Sequence, residues 1–373
     1  MPDSIESALT PERLAAQLLA GVPARNPLAV AQRLLAVQAQ DPRGARLAIR
    51  ARSTGLTATD VDAALGEDRS LLITWLNRGT LHLVRSEDYP WLHALTVPSL
   101  LTGNARRLAQ EGVTPRAAER GVRAIERALA GDGPLTRARL RERIGAAGVR
   151  TEGQALVHLL MLATLRGLAV RGPMVGADQA YVLVADWLPK PQKVDRGRAL
   201  AELARRYLAG HAPADDRDLA RWSGLALGEA RAGLSAIASE LRARPDGLLE
   251  LKRRKRRVPD PPQPRLLGAF DPLLLGWCSR EQIVGPNKAL ITDNGVFRPF
   301  ALARGRAVAT WKIAAREVVL DPFERLTRAD AAALHADAAD VLRYLALGPA
   351  PGPGSEAGGG GSSSSTSASV KPS

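Results

Sequence analysis

The fold is decided by four consecutive segments: ERGVRAIERALAGD (119–132), LTRARLRERIGAAG (135–148), TEGQALVHLLMLATLRG (151–167) and AVRGPMVGADQAYVLV (169–184). The first and third carry apolar residues at helical spacing, and the second, which follows Gly133-Pro134, reads as a further short helix. The last segment predicts a strand, a Gly-rich turn and a second strand. Three helices followed by a two-stranded wing are typical of a winged helix, which is a variant of the helix-turn-helix.

The same order of elements recurs on both sides of this stretch. After it, we predict three helices and a first wing strand in ALAELARRYLAG (199–210), DDRDLARWSG (215–224), ALGEARAGLSAIASELRA (226–243) and LLELKRRKRR (248–257). Before it, we predict three helices and two strands in TPERLAAQLLAG (10–21), PLAVAQRLLAVQ (27–38), TATDVDAALG (57–66) and LLITWLNRGTLHLV (71–84). The pattern therefore predicts three winged-helix modules in tandem.

The C-terminal part changes character. Strand-forming residues dominate from Gln263 to Leu320, and the segment 328–347 then predicts a closing amphipathic helix. We expect a helix-rich α/β fold with five parts: module 1 (1–105), module 2 (106–190), module 3 (191–262), a β-rich part with the closing helix (263–348), and a Gly/Ser-rich tail (349–373).

The charge of the chain points to a nucleic-acid partner. The 373 residues hold 52 Lys and Arg against 38 Asp and Glu, a formal net charge of +14. An excess of this size is typical of proteins that bind a polyanion, although an Arg-rich composition is also a consequence of a GC-rich genome. We expect the protein in the cytoplasm and without a membrane partner, because the sequence shows neither a signal peptide nor an apolar run of membrane length. We also expect it to be a monomer.

Cysteine and histidine, the residue types that most often bind metals, are rare in this sequence. The single cysteine, Cys278, forms no internal disulfide, and the five histidines lack the spacing of a metal site. We therefore expect no metal and no cofactor. A metal-dependent nuclease is also excluded, because it needs a cluster of carboxylates to hold its metal and the sequence shows none.

One short motif stands out near the N-terminus. Gln38 and Gln40 lie two apart, and Asp41 precedes Pro42, so the chain must leave the helix at this point. Residues two apart in extended backbone share a side, and the two amides are therefore expected to converge. The alternative is a pair of ordinary surface residues at a helix end. Asp41 either orients a water molecule or acts as a base, or it is an ordinary residue of an Asp-Pro turn.

The candidate DNA contacts are basic or lie near this motif. They are Arg43, Arg78, His82, the run Lys252, Arg253, Arg254, Lys255, Arg256 and Arg257, and a late group formed by Arg298, Arg304, Arg306 and Lys312. The six consecutive cations predict phosphate contacts and a steep salt dependence. The alternatives are a solvated loop for the run, a solvated turn for Arg78 and a structural histidine for His82.

The chain resembles the AlkZ/YcaQ family of winged-helix DNA glycosylases. The resemblance rests on LLAVQAQDP (34–42), NRGTLHLV (77–84), LLGAFDPLLLG (266–276) and GVFRPFALARGRAVATWK (295–312), which occur in the family's order. It implies three winged helices in a C shape around DNA and a catalytic role for Gln38 and Gln40. The Gln-x-Gln form further implies the branch associated with self-resistance to a DNA-alkylating natural product.

The chemistry that two glutamines permit agrees with this resemblance. An amide does not titrate, so neither residue is a true general base, but each can hold a water molecule beside an anomeric carbon. Such catalysis suffices when the leaving base is already cationic, as in purines alkylated at N7 or N3. The expected partner is thus double-stranded DNA with alkylated or crosslinked purines. The competing hypothesis is a non-catalytic winged-helix DNA-binding protein or transcription regulator.

Overall fold

The computed structural model describes residues 11–190, 193–252, 262–292 and 294–347, and it confirms a helix-rich fold with antiparallel sheets. The first part contains α1 (11–16), α2 (Pro27–Leu34), β1 (Val37–Gln38), α3 (Pro42–Arg50), α4 (Ala58–Gly66), β2 (Leu71–Leu76) and β3 (Thr80–Arg85). The helix α3 was not predicted, because its arginines conceal its buried face. Two further helices follow, α5 (Tyr89–Thr96) and α6 (Pro98–Gln110).

The segment that decided the fold is as predicted. It forms α7 (Pro115–Asp132), α8 (Arg137–Ala146), α9 (Ala155–Leu165), β4 (Ala169–Val175), β5 (Asp178–Leu183) and the short α10 (Val184–Trp187). Thr114 and Thr136 cap α7 and α8 by accepting backbone N–H bonds, which explains where both helices begin. Leu135, just before α8, also bridges to Tyr181 on β5. The order of helices and strands is the one expected of a winged helix.

The third module repeats this order with one correction. It contains α11 (Arg196–His211), α12 (Asp216–Ser223), α13 (Leu227–Ala236), β6 (Leu241–Ala243) and β7 (Leu249–Leu251). The predicted third helix, 226–243, is therefore too long, and the predicted first wing strand is the second. The residues from Leu241 to Ala243 have a good helical pattern but pair with β7 instead, so cross-strand pairing overrides local preference. Ala214 bridges to Leu249 as Leu135 does to Tyr181.

The first two modules share one sheet. Its strand order is β1-β3-β2-β4-β5, and β2 joins β4 through the register pair Ile73 and Arg171. The predicted boundary between residues 105 and 106 falls inside α6. The division of the chain into modules remains a prediction, but the two parts do not have separate sheets.

The C-terminal part builds a second sheet. It contains β8 (Arg265–Leu267), α14 (Glu281–Val284), β9 (Phe300–Ala303), β10 (Arg306–Ala314), β11 (Glu317–Pro322) and the predicted closing helix α15 (Arg328–Tyr344). The sheet order is β11-β10-β9-β8. The predicted hairpin at Gly305 joins β9 to β10. The predicted tail lies outside the described residues.

Buried ion pairs fasten this sheet to the first module. Arg52, in the turn after α3, donates to both carboxylate oxygens of Asp271 at 2.9 and 2.8 Å, and both side chains are fully buried. Arg50 pairs with Asp337 of α15 at 2.8 Å. Removing one partner from such a pair leaves an uncompensated buried charge, so these contacts fix the position of the sheet. None of the helices in the described residues is long and apolar enough to cross a membrane.

Candidate active site

The Gln38-Ala39-Gln40 segment lies in extended backbone between two helices. α2 ends at Leu34, and Val37 and Gln38 then pair with Leu83 and His82 on β3. The backbone N–H of Ala39 donates to the carbonyl of Leu81, which continues the pairing by one residue. Asp41 starts the next helix, with Pro42 at its first position. The segment is thus held between one strand and one helix cap.

The two amides meet, as the spacing predicted. The Nε2 of Gln38 donates to the Oε1 of Gln40 at 2.5 Å. Gln38 is buried, with 6% of its surface exposed, whereas Gln40 is exposed. One amide therefore anchors the pair inside the protein, and the other presents it to the solvent.

A guanidinium group stands behind the buried amide. The Nη2 of Arg78 lies 3.4 Å from the Oε1 of Gln38, whereas Gln40 binds the Nε2 of the same amide. The same guanidinium donates to the backbone carbonyl of Trp222 and, at 3.3 Å, to that of Arg221, both at the C-terminal end of α12. Carbonyls at a helix C-terminus carry partial negative charge and bind cations. Arg78 thereby links the first module, the third module and the amide pair.

The position of Arg78 follows from its turn. Arg78 occupies the turn between β2 and β3 with a φ of 55°, and Gly224 ends α12 in the left-handed conformation directly against it. A Cβ atom on Gly224 would lie 2.8 Å from the backbone nitrogen of Arg78. Burial lowers the pKa of Arg78 to about 10, and repulsion by Arg221 and Arg280 adds to this shift. The side chain that we expected at a phosphate points inward.

His82, which the sequence suggested as a DNA contact, is buried in the structure. Its side chain is 2% exposed and its Nδ1 lies 3.0 Å from the carbonyl of Thr80, so it does not line a DNA-facing surface in this structure. Gln38, His82 and Thr74 are successive register partners and form a polar row on one face of the sheet. Burial, and then the nearby charge of Arg78, lowers the pKa of His82 to about 3, against the effect of the bond to Thr80. His82 is therefore a neutral structural histidine beneath Gln38.

The residues that follow the amide pair divide into a cap and an exposed cation. Asp41 accepts hydrogen bonds from the backbone N–H groups of Arg43 and Gly44 at 2.9 and 3.1 Å. It therefore caps the helix α3, which agrees with its role as an Asp-Pro turn residue. The side chain of Arg43 is exposed and makes no hydrogen bond or ion pair with the residues that the structure describes. Arg43 remains a candidate DNA contact three positions from the exposed amide.

The structure separates the remaining candidates. Lys252 is exposed and donates to the carbonyl of Ser239 at 2.8 Å, and Arg253, Arg254, Lys255, Arg256 and Arg257 lie outside the described residues. Arg298 is exposed, and Arg304 is exposed but paired with Asp330 at 3.3 Å. Arg304 and Arg306 flank one end of β10, whereas Lys312 lies six residues along it, about 20 Å away. The late group is therefore not one compact patch.

Sequence reasoning missed two partners of the site. Thr74 is an ordinary strand residue until the sheet register places it beside His82. Trp222 contributes a backbone carbonyl, which no side-chain motif reveals. Within the described residues, no group of three or more His, Cys, Asp or Glu side chains could hold a metal ion.

Three comparisons with known proteins agree. A family model described as DNA glycosylase AlkZ-like matches residues 31–344. The interstrand DNA cross-link repair glycosylase of Streptomyces sahachiroi is 29% identical over 340 residues, which are 84% of this chain and 89% of that protein. The solved structure of Streptomyces sahachiroi DNA glycosylase AlkZ superposes with a TM-score of 0.73 at 26% identity, and the match covers 91% of this chain and 96% of that chain.

Proposed function

Because the chain belongs to the AlkZ-like DNA glycosylase family, we propose that it hydrolyses the N-glycosidic bond of purines alkylated at N7 or N3, with Gln38 and Gln40 as the catalytic residues. The observation that carries this proposal is the hydrogen-bonded amide pair, which is anchored inside the protein and exposed at one end. The winged-helix modules supply the framework on which the pair is held.

The hydrogen bonds assign an orientation to each amide. The oxygen of Gln38 faces Arg78 and its nitrogen faces Gln40, so the oxygen of Gln40 accepts within the pair. Gln40 keeps its nitrogen and the second lone pair of its oxygen for a water molecule or for the sugar. A fixed donor and acceptor can position that water beside the anomeric carbon without a large entropy cost in the reaction.

The leaving group supplies the remaining driving force. A purine alkylated at N7 or N3 is cationic and departs as a neutral base, so no general acid is needed. Positive charge then develops on the sugar, in an oxocarbenium-like state. The oxygen of Gln40, on an exposed side chain, would stabilise this charge, and the attacking water loses its proton to solvent.

Arg78 is a positioning residue in this mechanism, in place of the phosphate contact that the sequence suggested. Its guanidinium is spread over Gln38 and the two carbonyls of α12. A neutral replacement would free the amide of Gln38 to rotate, and the pair would lose its orientation. The DNA contacts that we propose instead are Arg43, Arg298, Arg306 and Lys312, which are exposed, together with the run from Lys252 to Arg257.

The exposure of Gln40 bears on which lesions fit. A crosslinked base is tethered to the opposite strand and cannot swing fully into a closed pocket. An amide pair that ends at the surface tolerates such a lesion. We therefore include bulky N7-alkylguanine adducts and interstrand crosslinks among the substrates, in line with the name of the Streptomyces sahachiroi relative, and self-resistance to an alkylating natural product as the role.

The test is release of free base from duplex DNA that carries one N7-methylguanine, and from a duplex with an N7-linked interstrand crosslink. We expect the wild type to release the base and leave an abasic site that alkali cleaves. Gln38→Ala and Gln40→Ala should lose this activity and keep their affinity for the duplex. If the wild type binds the duplex tightly but releases no base, the competing hypothesis of a non-catalytic DNA-binding protein is correct.

A further inference from the structure

A cavity of about 600 Å³ lies beside the chain segment that follows the amide pair. Pro42, two residues after Gln40, forms part of its wall, and the remainder comes from α8, α9, and β4 and β5 with the turn between them. Two residues span at most about 7 Å of chain, so the backbone of Gln40 lies close to this part of the wall. A cavity of this size accommodates a group as large as a nucleotide.

Three arginines line this cavity. They are Arg137 and Arg141, one turn apart on α8, and Arg171 on β4. None of them has a carboxylate within ion-pair distance in the part of the chain that the structure describes, whereas many arginines elsewhere are paired. Arg137 and Arg141 are exposed, and Arg141 makes only a 3.4 Å contact with the carbonyl of Thr151. The three charges are therefore available to a ligand.

Arg171 is held in place by aromatic groups. Its guanidinium lies 5.2 Å from the ring centre of Trp75 and 5.0 Å from that of Tyr181. Its Nε also donates to the hydroxyl of Tyr181 at 3.0 Å. Cation–π contacts and a planar hydrogen bond restrict a guanidinium without neutralising its charge. The remaining N–H groups of Arg171 stay free to bind an anion in a fixed geometry.

The acidic residues at the cavity do not cancel this charge. Glu142 lines the wall but pairs with Arg139 at 3.0 Å, and both side chains are exposed. Asp178 is the exposed first residue of β5, and it has no ion-pair partner in the described part of the chain. With Glu142 engaged elsewhere, three arginines face one carboxylate at the rim.

We propose that this cavity binds a backbone phosphate of the lesion-bearing DNA strand, within a few nucleotides of the damaged base. The proposal rests on the proposed function, because it is the amide pair that places the lesion next to the cavity. Arginine forks match the tetrahedral oxygens of a phosphate, and a fixed guanidinium sets the register of a strand. The cavity would thus hold the strand so that the damaged nucleotide lies over Gln40.

The test measures DNA binding without any base release. A duplex with a tetrahydrofuran abasic analogue marks the lesion position, and a neutral methylphosphonate replaces one phosphate at a time on either side of it. In the wild type, one or two adjacent replacements should weaken binding roughly tenfold, the loss that a charge-assisted hydrogen bond brings. Arg137→Gln/Arg141→Gln should bind roughly tenfold more weakly and lose its sensitivity to those same replacements.

The matched control is Arg143→Gln. Arg143 is exposed on the same helix, outside the cavity, and pairs with Asp132 at 2.7 Å. Its replacement removes one positive charge, as each substitution in the double variant does. It should retain the wild-type response to every methylphosphonate. The double variant should also lower the slope of log affinity against log salt by about 0.9 for each lost phosphate contact.

Two outcomes would overturn the proposal. One is a double variant that responds to each methylphosphonate as the wild type does. The other is a loss of affinity no greater than in Arg143→Gln, which would reduce the three arginines to general surface charge. Neither result depends on catalysis, so the base-release assay of Gln38→Ala and Gln40→Ala judges the proposed function separately.

Discussion

Residues 115–183 and 196–251 build the same order of α-helices and strands in two different settings. Each has three helices and two antiparallel strands, and each has an extra bridge just before the second helix, at Leu135 in the former and Ala214 in the latter. The third helices differ. In α9 nearly every residue is buried, because it packs against α6, α7 and β2, whereas α13 buries only Ala230, Gly233 and Leu234.

The ends of the second helices differ as well. α12 ends at Gly224 against Arg78, and its carbonyls bind the guanidinium that faces Gln38. The corresponding Gly148 after α8 has a φ of 66° but no neighbouring atom within 4 Å of an added Cβ. One copy therefore supports the shared sheet. The other copy supplies the helix end that binds Arg78, which in turn contacts the amide pair.

The largest effect is expected in the buried third helix. Leu159→Ala in α9 removes a fully buried side chain, and we expect it to lower the free energy of unfolding by about 2–5 kcal/mol. Ser235→Ala, on the exposed face of α13, should change it by less than about 0.5 kcal/mol. Urea unfolding followed by circular dichroism measures both. Equal effects would mean that the two helices are packed alike.

The two glycines test the second difference. Gly148→Ala should cost about 1–2 kcal/mol of stability, the strain of a left-handed residue with a side chain, and leave base release unchanged. Gly224→Ala adds a steric conflict with the backbone of Arg78, so it should cost more and also slow base release. Thermal unfolding and single-turnover rates are measured on the same samples. If Gly224→Ala keeps the full rate, Arg78 does not position Gln38.

The smallest effect is expected from pH. Burial lowers the pKa of His82 to about 3, so His82 stays neutral above pH 5, and Arg78, with a pKa of about 10, stays charged below pH 9. The rate of base release, corrected for spontaneous depurination, should vary less than about twofold between pH 5 and 9, since the amides do not titrate. A tenfold rise per pH unit below neutrality would reveal a general base.

The sequence predicted the local structure of the second module and the convergence of the amides, because helical periodicity, caps and an Asp-Pro step are local features. It could not predict that β2 joins β4, since a single register pair connects strands about a hundred residues apart. The buried Arg52–Asp271 pair was missed for a related reason. A charged residue predicts exposure unless its distant partner is known.

The contacts of Arg78 show the limit for the site. Its residue type suggested a phosphate contact, but it binds backbone carbonyls at the end of α12 in the third module and points inward. A sequence motif cannot reveal such contacts, because every residue type has a backbone carbonyl. The cavity was missed because its three arginines come from two elements, which become neighbours only when the wing folds back.

The central claim is that an uncharged, hydrogen-bonded amide pair performs the catalysis. The most direct measurement is the single-turnover rate of N7-methylguanine release by Gln38→Met, which keeps the size of the side chain and removes its hydrogen bonds, alongside its dissociation constant for the same duplex. We predict a rate at least about 100-fold lower with an unchanged dissociation constant. A rate within twofold of the wild type would contradict the claim.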